Sequence, residues 1–272
     1  MRLILPSVSL YKQEPGIQGM YKAIAKAGHI CYASEKEGDE EAFVKRCISL
    51  GHMRPLEFGT VYLKIPGDSD ALDFYSNNPY SIVETGTGII YYYVTTNYRV
   101  LVENNCTEDL CYWCEPTKFH ALRHCILWEH IGRDIADEFR TYTSLSSLMQ
   151  STRYCAYDKE KFGSELIFIK PSWLSGCEYH GMQVDEREFY RSLEDAERHY
   201  MVLRTNYNWS AEKARKVLPL DVATTFIQCG FEKDWDNFFN QRVLGTTGTP
   251  HPDAKEIAEM IYEEYKTTKQ GN

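Results

Sequence analysis

The chain lacks several features that would assign it to a membrane, nucleic-acid-binding or secreted class. No stretch of its 272 residues approaches the roughly 20 consecutive apolar residues that a membrane-spanning helix needs, so we expect no membrane partner. Positive charge is not in excess, because 30 Lys and Arg face 39 Asp and Glu, and this balance of −9 argues against a nucleic-acid partner. Residues 1–6 are too short for a signal peptide. We therefore expect a cytoplasmic protein.

Repeats and low-complexity linkers are also missing, so nothing in the sequence marks a domain boundary. Apolar residues make up 43% of the chain and charged residues 25%, which is ordinary globular composition. A chain of this length can bury a substantial core. We predict a single domain over residues 1–272.

The nine cysteines are scattered, as expected for reduced thiols inside a cell. None lies beside a base in a motif typical of a nucleophile. Cys111 and Cys114, followed by His120 and His124, raise the question of zinc. Only five residues separate Cys114 from His120, against about twelve in zinc-finger patterns. We predict no metal, and expect Trp113 and the two cysteines to pack a loop.

Apolar periodicity predicts a mixture of helices and strands. Residues with helical spacing predict four helices, at 16–27, 40–50 (ended by Gly51), 186–207 and 253–265. Asp134 is expected to cap a short helix through Phe139, and Ser210 a helix that holds Ala214 and Arg215.

Strand composition predicts the remaining elements. Runs rich in apolar and β-branched residues predict a strand at 60–65, a strand or hairpin at 89–103, and a strand at 166–169. Residues 125–128 fit a strand, with a helix from Lys118 as the alternative. Residues 68–88 are rich in turn formers. Helices and strands do not alternate regularly, so the predicted fold class is α+β.

The most informative stretch is TYTSLSSLMQSTRY at residues 141–154. The hydroxyls of Ser146 and Ser151 lead into Arg153. An arginine fork fits a phosphate bidentately, and a nearby serine adds a short hydrogen bond. This stretch therefore predicts an anion site.

Three further segments, with this stretch, resemble the flavin-dependent thymidylate synthases. That family has the signature R-H-R-x-x-S-x-N-E-x-S-x-R-Y, followed by A-R-x-x-L-P and N-F-L-x-x-R. Here residues 214–220 read ARKVLPL and residues 237–242 read NFFNQR. Residues 51–58, GHMRPLEF, match the family's upstream G-H-x-x-x-x-E-H, with Phe58 in place of the second His. The resemblance covers residues 20–65 and 120–260, and residues 67–118 are expected to be an insertion.

The resemblance implies a mixed fold of helices and antiparallel sheet, a homotetramer, and transfer of a one-carbon unit to C5 of dUMP. Ser151 and Arg153 would hold the phosphate, and Gln150 and Arg215 would bind the same nucleotide. Arg242 would face the uracil carbonyl, where a fixed guanidinium stabilises the negative charge that makes C5 nucleophilic. Ser151 and Arg242 are thus the expected catalytic residues.

The resemblance also implies FAD as cofactor, with methylene-tetrahydrofolate and NADPH as co-substrates. His52, Lys233 and Asn237 would contact the flavin, and Tyr142 would stack on an aromatic ring. The family's R-H-R triplet is Thr141-Tyr142-Thr143 here, and its N-E pair is Leu148-Met149. Thr141 thus occupies a position at which the family has a cofactor-binding arginine. Arg140, one residue earlier, is a candidate to replace that missing cation.

Three functions therefore remain open from the sequence. The first is dUMP methylation of the flavin-dependent type. The second is C5-hydroxymethylation or another modification of a pyrimidine nucleotide, in which the base and the sugar are undetermined. The third is a relative that binds a nucleotide but has lost the one-carbon chemistry.

Overall fold

A computed structural model describes residues 1–33, 38–86, 90–176 and 178–270. The strands are β1 (Arg2–Ile4), β2 (Ser7–Tyr11), β3 (Thr60–Pro66), β4 (Ile82–Thr85), β5 (Tyr91–Asn97), β6 (Arg123–Gly132), β7 (Ser146–Met149), β8 (Ile167–Ile169) and β9 (Ala223–Phe231). The helices are α1 (Gly16–Tyr32), α2 (Glu40–Ser49), α3 (Ala71–Asn77), α4 (Tyr98–Glu103), α5 (Arg133–Phe139), α6 (Val184–Thr205), α7 (Ala211–Ala214), α8 (Glu232–Arg242) and α9 (Pro252–Gln270).

The central sheet is antiparallel, with the strand order β2-β6-β9-β7. Successive side chains of β6 point to opposite faces, as the two-residue period of a strand requires. Ile126 and Trp128 join a core formed with α5, α8 and α9. Cys125 and Leu127 pack on the other face against α1. The sheet is therefore covered by helices on both sides, which explains its continuous apolar strands.

A second antiparallel sheet, ordered β3-β5-β4, lies beside α1 and α2 and has a core of its own. Its middle strand, β5, leads directly into α4. The Asn97 side chain accepts a hydrogen bond from the Val100 amide at 3.3 Å and caps that helix. A third cluster packs α6 over the short parallel pair β1-β8.

The α+β class is confirmed, and the strand interpretation of residues 125–128 is correct. The four long helices also form, although α1 extends to Tyr32 and α9 continues to Gln270. Gly51 has φ +70° and ends the turn after α2. Ser210 caps α7 by accepting a hydrogen bond from the Lys213 amide at 3.2 Å.

Three local predictions were wrong. Residues 68–88 are not only turns, because they contain α3 and β4. The strand predicted at 89–103 ends at Asn97, where the side-chain cap starts α4, and residues 87–89 lie outside the described ranges. Asp134 does not cap α5, because the helix begins at Arg133 and Gly132 occupies the cap position, two residues before Asp134.

The Cys111–His124 region adopts a packed arrangement. Trp113 forms a bridge with Leu63 and lies against the core of the second sheet. The Cys114 Sγ lies 3.7 Å from the His120 Nε2, whereas Cys111 is exposed and His124 contacts Glu232 at 3.0 Å. Within the described ranges, no His, Cys, Asp or Glu group is arranged to hold a metal ion.

In the part of the chain that the structure describes, no helix has the length and apolar character that crossing a membrane requires.

Candidate functional site

The signature stretch forms β7 at the edge of the central sheet, followed by a tight turn. Three hydrogen bonds anchor this turn. The backbone N–H of Gln150 donates a hydrogen bond to the Thr225 carbonyl at 2.9 Å. The side-chain oxygen of Gln150 accepts a hydrogen bond from the backbone N–H of Thr225 at 3.3 Å. The Ser151 amide donates to the Cys31 carbonyl at 3.0 Å. The turn is therefore fixed between β9 and the end of α1.

This turn brings three of the predicted nucleotide residues together. The Ser151 Oγ accepts a hydrogen bond from the Arg153 amide at 3.3 Å. The Arg215 guanidinium reaches across from the end of α7 and donates to the Thr152 hydroxyl at 3.2 Å. Ser151, Arg153 and Arg215 thus form one basic group, which we call the turn cluster. Its two cations and hydroxyls are suited to an anion.

A carboxylate already pairs with the turn cluster. The Arg153 Nε lies 2.8 Å from Glu212 on α7, and both side chains are about half exposed (49% and 56%). Ion pairs this exposed contribute little to stability because water competes for both groups. A phosphate can therefore replace the carboxylate at small energetic cost.

Arg242, the last residue of α8, belongs to a separate group formed with α5 and Tyr142. Its guanidinium lies 2.5 Å from Glu138 on α5 and 5.2 Å above the ring of Tyr142. The side chain is only 19% exposed, and its Nε is buried without a hydrogen-bond partner in the described residues. Arg242 is thus held firmly and retains an unused donor.

The predicted cofactor residues near Arg242 are divided between core and surface. Tyr142 is 8% exposed, contacts the Phe238 ring edge to face, and donates to Gln241 at 2.9 Å. Burial raises the pKa of Tyr142, although Arg242 opposes the shift. Gln241 in turn donates to the exposed Asn237 at 3.0 Å. Tyr142 therefore serves as support for Arg242 in this chain.

Two further predicted residues lie on the surface nearby. Thr141 is exposed, and its hydroxyl donates to the Glu138 carbonyl at 2.7 Å. Lys233 is exposed in the first turn of α8, with its Nζ 5.9 Å from the Phe231 ring. Arg140 pairs with Asp137 at 3.1 Å and is 58% exposed.

His52 lines a different feature, a pocket of about 850 Å³ between α1, α2 and α4. Leu148 of β7 reaches the same pocket, as do Cys31 and Tyr32 at the end of α1. The Tyr32 ring lies 5.3 Å from the ring of Tyr154, which follows Arg153. The pocket therefore adjoins the turn cluster. Lys233, Asn237, Tyr142 and Thr141 do not line it.

Glu57 lies beneath this pocket and organises two of its arginines. Its carboxylate is 3.1 Å from Arg54 and 2.6 Å from Arg99, and the side chain is 11% exposed. Burial acts to raise the pKa of Glu57, but the Ser146 hydroxyl and the two guanidinium groups outweigh it and leave the pKa below its usual value. Glu57 is thus a buried anion that orients Arg54 and Arg99.

The structure therefore groups the predicted residues into three places. Ser151, Arg153 and Arg215 meet in the turn cluster, with Gln150 as its anchor. Arg242 lies with Tyr142 and Asn237, and His52 lies in the pocket. Within the described ranges, no hydrogen bond, ion pair or ring contact joins the Arg242 group to the turn cluster.

Sequence reasoning missed the carboxylates that hold these arginines. Glu57 occupies the glutamate position of the upstream motif G-H-x-x-x-x-E-H. That match was the one sequence signal that could have identified Glu57 as a site residue. Glu138 and Glu212 carry no comparable signal, because each meets its arginine through contacts between helices and loops distant in sequence.

These observations define the class of the protein. It has an α+β fold in which clustered arginines lie beside a pocket that is itself lined by arginines. The chain belongs to the family described as thymidylate synthase complementing protein, whose family model matches residues 118–268. This match confirms the resemblance to the flavin-dependent thymidylate synthases. No curated protein matches the chain.

Solved structures of the UMP/dUMP methylase PolB from Streptomyces cacaoi are similar to this chain at low identity. The complex with 5-Br dUMP is 13% identical with a TM-score of 0.47, covering 98% of this chain and 93% of that one. The complex with 5-Br UMP is 14% identical with a TM-score of 0.48, covering 98% and 92%.

Proposed function

We propose that the protein transfers a one-carbon unit from methylene-tetrahydrofolate to C5 of dUMP, with FAD as cofactor and NADPH as reductant. The observation that carries this proposal is the turn cluster beside the pocket. Ser151, Arg153 and Arg215 lie together at the edge of a large cavity that is lined by His52 and Leu148 of two family motifs. Family membership supports the same reaction.

In this proposal the turn cluster holds the nucleotide phosphate. Arg153 exchanges Glu212 for the phosphate, Arg215 donates beside it, and Gln150 keeps the turn in place. The Ser151 hydroxyl would bind the nucleotide phosphate, and we expect Ser151 to be a catalytic residue as well as a binding residue. Charged hydrogen bonds of this kind contribute about 1.5–3 kcal/mol each.

Arg242 is the proposed electrophilic residue at the base. Glu138 and the Tyr142 ring fix its guanidinium, whose side chain is 19% exposed. A fixed cation there stabilises the charge that develops when C5 attacks. Over the whole reaction the C5–H bond would be replaced by a C5–CH₃ bond. Both bonds between the methylene carbon and the folate nitrogens would break, those nitrogens would take up the C5 proton and one solvent proton, and a hydride equivalent from NADPH would reduce the methylene carbon, so that tetrahydrofolate and NADP⁺ would leave.

A homotetramer is part of this proposal, and family membership supports it. Within the described ranges no contact joins the Arg242 group to the turn cluster, and in the tetramer a nucleotide would take the turn cluster of one subunit and the Arg242 group of another. Lys233 and Asn237, which lie on the same helix as Arg242, would then complete the pocket of a neighbouring subunit.

The pocket fits the size and charge of a flavin. Its volume of about 850 Å³ lies within the range of small-molecule sites. Three arginines line it, and the buried Nε of Arg99 has no hydrogen-bond partner in the described part of the chain. His52, with Lys233, Asn237 and Thr141 of a neighbouring subunit, are the residues we expect around the group, whereas the buried Tyr142 ring would act through Arg242. The flavin, when bound, would supply the redox chemistry, and methylene-tetrahydrofolate would supply the one-carbon unit.

The test is a mass measurement of the nucleotide product together with dUMP titration. Wild-type protein given dUMP, methylene-tetrahydrofolate, NADPH and FAD should yield a product heavier by one methyl group. Arg153→Ala should weaken dUMP binding roughly tenfold to a hundredfold. Arg198→Ala, which removes an exposed arginine paired with Asp195 on α6, is the matched control and should bind normally.

Three other outcomes change the conclusion. A product heavier by a hydroxymethyl group would assign the alternative C5 chemistry. Firm dUMP binding without any mass change, under every cofactor combination, would identify a nucleotide-binding relative that lacks one-carbon chemistry. Equal dUMP affinity in wild type and Arg153→Ala would reject the phosphate assignment.

A further inference from the structure

The face of the central sheet that packs against α1 carries two opposed thiols. Cys125 of β6 and Cys229 of β9 are direct partners in the antiparallel register, and they are 8% and 2% exposed. Within the strand ladders of the described residues, no other two cysteines face each other. The fold therefore brings together two nucleophilic groups from distant parts of the chain.

The spacing of the two cysteines is that of a disulfide. Directly opposite residues of an antiparallel pair have Cα atoms roughly 4.5–5.5 Å apart, and disulfides span Cα distances of roughly 4.4–6.8 Å. Both side chains belong to the same buried cluster on one face of the sheet, and the Cys125 thiol donates a hydrogen bond to the Cys229 sulfur. A bond between the two sulfur atoms therefore needs little movement of the strands.

The surroundings of the pair distinguish the two thiols. The hydrogen bond from Cys125, together with the nearby Arg123 cation, lowers the pKa of Cys229 against the effect of burial, and the Thr60 hydroxyl adds to this shift. Arg123 is held beside the pair by hydrogen bonds to the Thr60 hydroxyl at 3.2 Å and the Glu57 carbonyl at 3.0 Å. Burial and the shared hydrogen bond raise the pKa of Cys125. Cys229 is thus suited to be the attacking thiolate and Cys125 the thiol that resolves it.

The thiols lie close to the wall of the pocket. Leu148 packs against the buried cluster that contains both cysteines, and it also lines the pocket. On β7, Ser146 is directly opposite Cys229, and its hydroxyl hydrogen bonds to Glu57. An oxidant as small as hydrogen peroxide therefore has an approach when Leu148 moves, and oxidation takes place beside the carboxylate that orients Arg54 and Arg99.

We propose that Cys125 and Cys229 are a redox-active dithiol, which a peroxide converts into a cross-strand disulfide and a small thiol such as glutathione reduces again. This site is independent of the proposed nucleotide chemistry and uses none of its residues as reactants.

The oxidation balances with one peroxide for each pair. The Cys229 thiolate attacks a peroxide oxygen and becomes a sulfenic acid, and the hydroxide that leaves takes up the proton that Cys229 had lost. The Cys125 sulfur then attacks the sulfenic sulfur, so that the S–S bond forms, the S–O bond breaks and water leaves with the Cys125 proton. Two electrons pass from sulfur to oxygen, and two water molecules result. Reduction consumes two small thiols, which become one disulfide.

The experiment identifies the linked peptides in oxidised wild-type protein. Full-length folded protein is treated with hydrogen peroxide, unfolded with N-ethylmaleimide to block the remaining thiols, and digested with trypsin without reductant. Trypsin cuts after Lys and Arg, which leaves Cys125 in residues 124–133 and Cys229 in residues 217–233, each as the single cysteine of its peptide. Mass spectrometry should find these two peptides joined, lighter by two hydrogen atoms than their sum. Dithiothreitol should separate them.

Three variants assign the two roles. Cys125→Ser removes the resolving sulfur but keeps a hydroxyl that can donate to Cys229, so oxidation should stop at a sulfenic acid that dimedone labels. Cys229→Ser should label Cys125 several-fold less, because burial keeps that thiol protonated. Cys47→Ala, which changes a buried thiol on α2, is the matched control and should form the same cross-link as wild type. Circular dichroism checks that each variant is folded.

Two results would overturn the proposal. If folded wild type gives no link between residues 124–133 and 217–233, or gives it only after unfolding in urea, the pair is not a redox site of the native protein. Stronger dimedone labelling in Cys229→Ser than in Cys125→Ser would reject Cys229 as the nucleophile. The assay contains no nucleotide, folate or flavin, so a failed methylation assay leaves its result unaffected.

Discussion

The two regions that meet at β7 hold their arginines in opposite ways. In the turn cluster, Arg153 pairs with one carboxylate of the described residues, that of Glu212, which is 56% exposed. Beside the pocket, Arg54 and Arg99 share Glu57, which is 11% exposed. The first arrangement lets a ligand take the place of the carboxylate. The second fixes the guanidinium groups before any ligand arrives, which lowers the entropy cost of binding.

Because Glu212 is exposed and Glu57 is buried, the two carboxylates should contribute differently to the free energy of unfolding. An exposed ion pair is close to neutral for stability, whereas a buried carboxylate needs its partners. Glu57 and Glu212 therefore form a matched pair for mutation: each contacts site arginines, and only one lies in the interior.

The largest effect should come from Glu57→Gln. The substitution keeps the shape but removes the charge that holds Arg54 and Arg99, so the free energy of unfolding should fall by about 2–3 kcal/mol. Urea denaturation measures this value. Glu212→Gln, the control, should change it by less than about 1 kcal/mol. If both variants lost the same free energy of unfolding, burial would not distinguish the carboxylate beside the pocket from the one in the turn cluster.

The second prediction concerns acid. The folded-state pKa of Glu57 is depressed by its partners, so its stabilising effect is complete above the unfolded-state pKa of about 4.3 and is lost as the pH falls through the lower folded value. The stability gap between wild type and Glu57→Gln should thus narrow as the pH drops below about 5. Denaturation curves across this range test it, and a gap that widens with acid would contradict the assignment.

The smallest effect is expected at Glu212. Glu212→Gln frees Arg153 from its carboxylate, so dUMP should bind roughly two- to fivefold more tightly, a gain within the range of an exposed ion pair. Titration calorimetry measures this change. In the Arg153→Ala background the same substitution should have no effect on dUMP affinity. An unchanged affinity in the single variant would show that Glu212 does not compete with the ligand.

The sequence predicted the central elements because their signals are local. The apolar run of Cys125, Ile126, Leu127 and Trp128 indicated a buried strand, and Ser210 and Gly51 marked helix ends. The signature at residues 141–154 predicted the turn cluster for the same reason, since Ser151 and Arg153 are neighbours in the chain.

What the sequence did not reveal depends on contacts between distant segments. The turn-forming residues of 68–88 gave no local signal for α3 or β4. β4 forms because it pairs with β5, a contact that composition alone does not reveal. Arg46 and Arg99 meet at one cavity although 53 positions separate them in the numbering. Tyr142 looked available for stacking on a cofactor, whereas packing against Phe238 places its ring in the core.

The position of Arg99 on α4 has an evolutionary consequence. Arg99 takes no part in the hydrogen bonds that anchor the turn cluster to β9 and α1, so substitution at this one position can change the charge of the pocket while the turn cluster is retained. Relatives that lose the arginine at position 99 should then be free to lose the glutamate at position 57 as well, and the two positions are expected to covary.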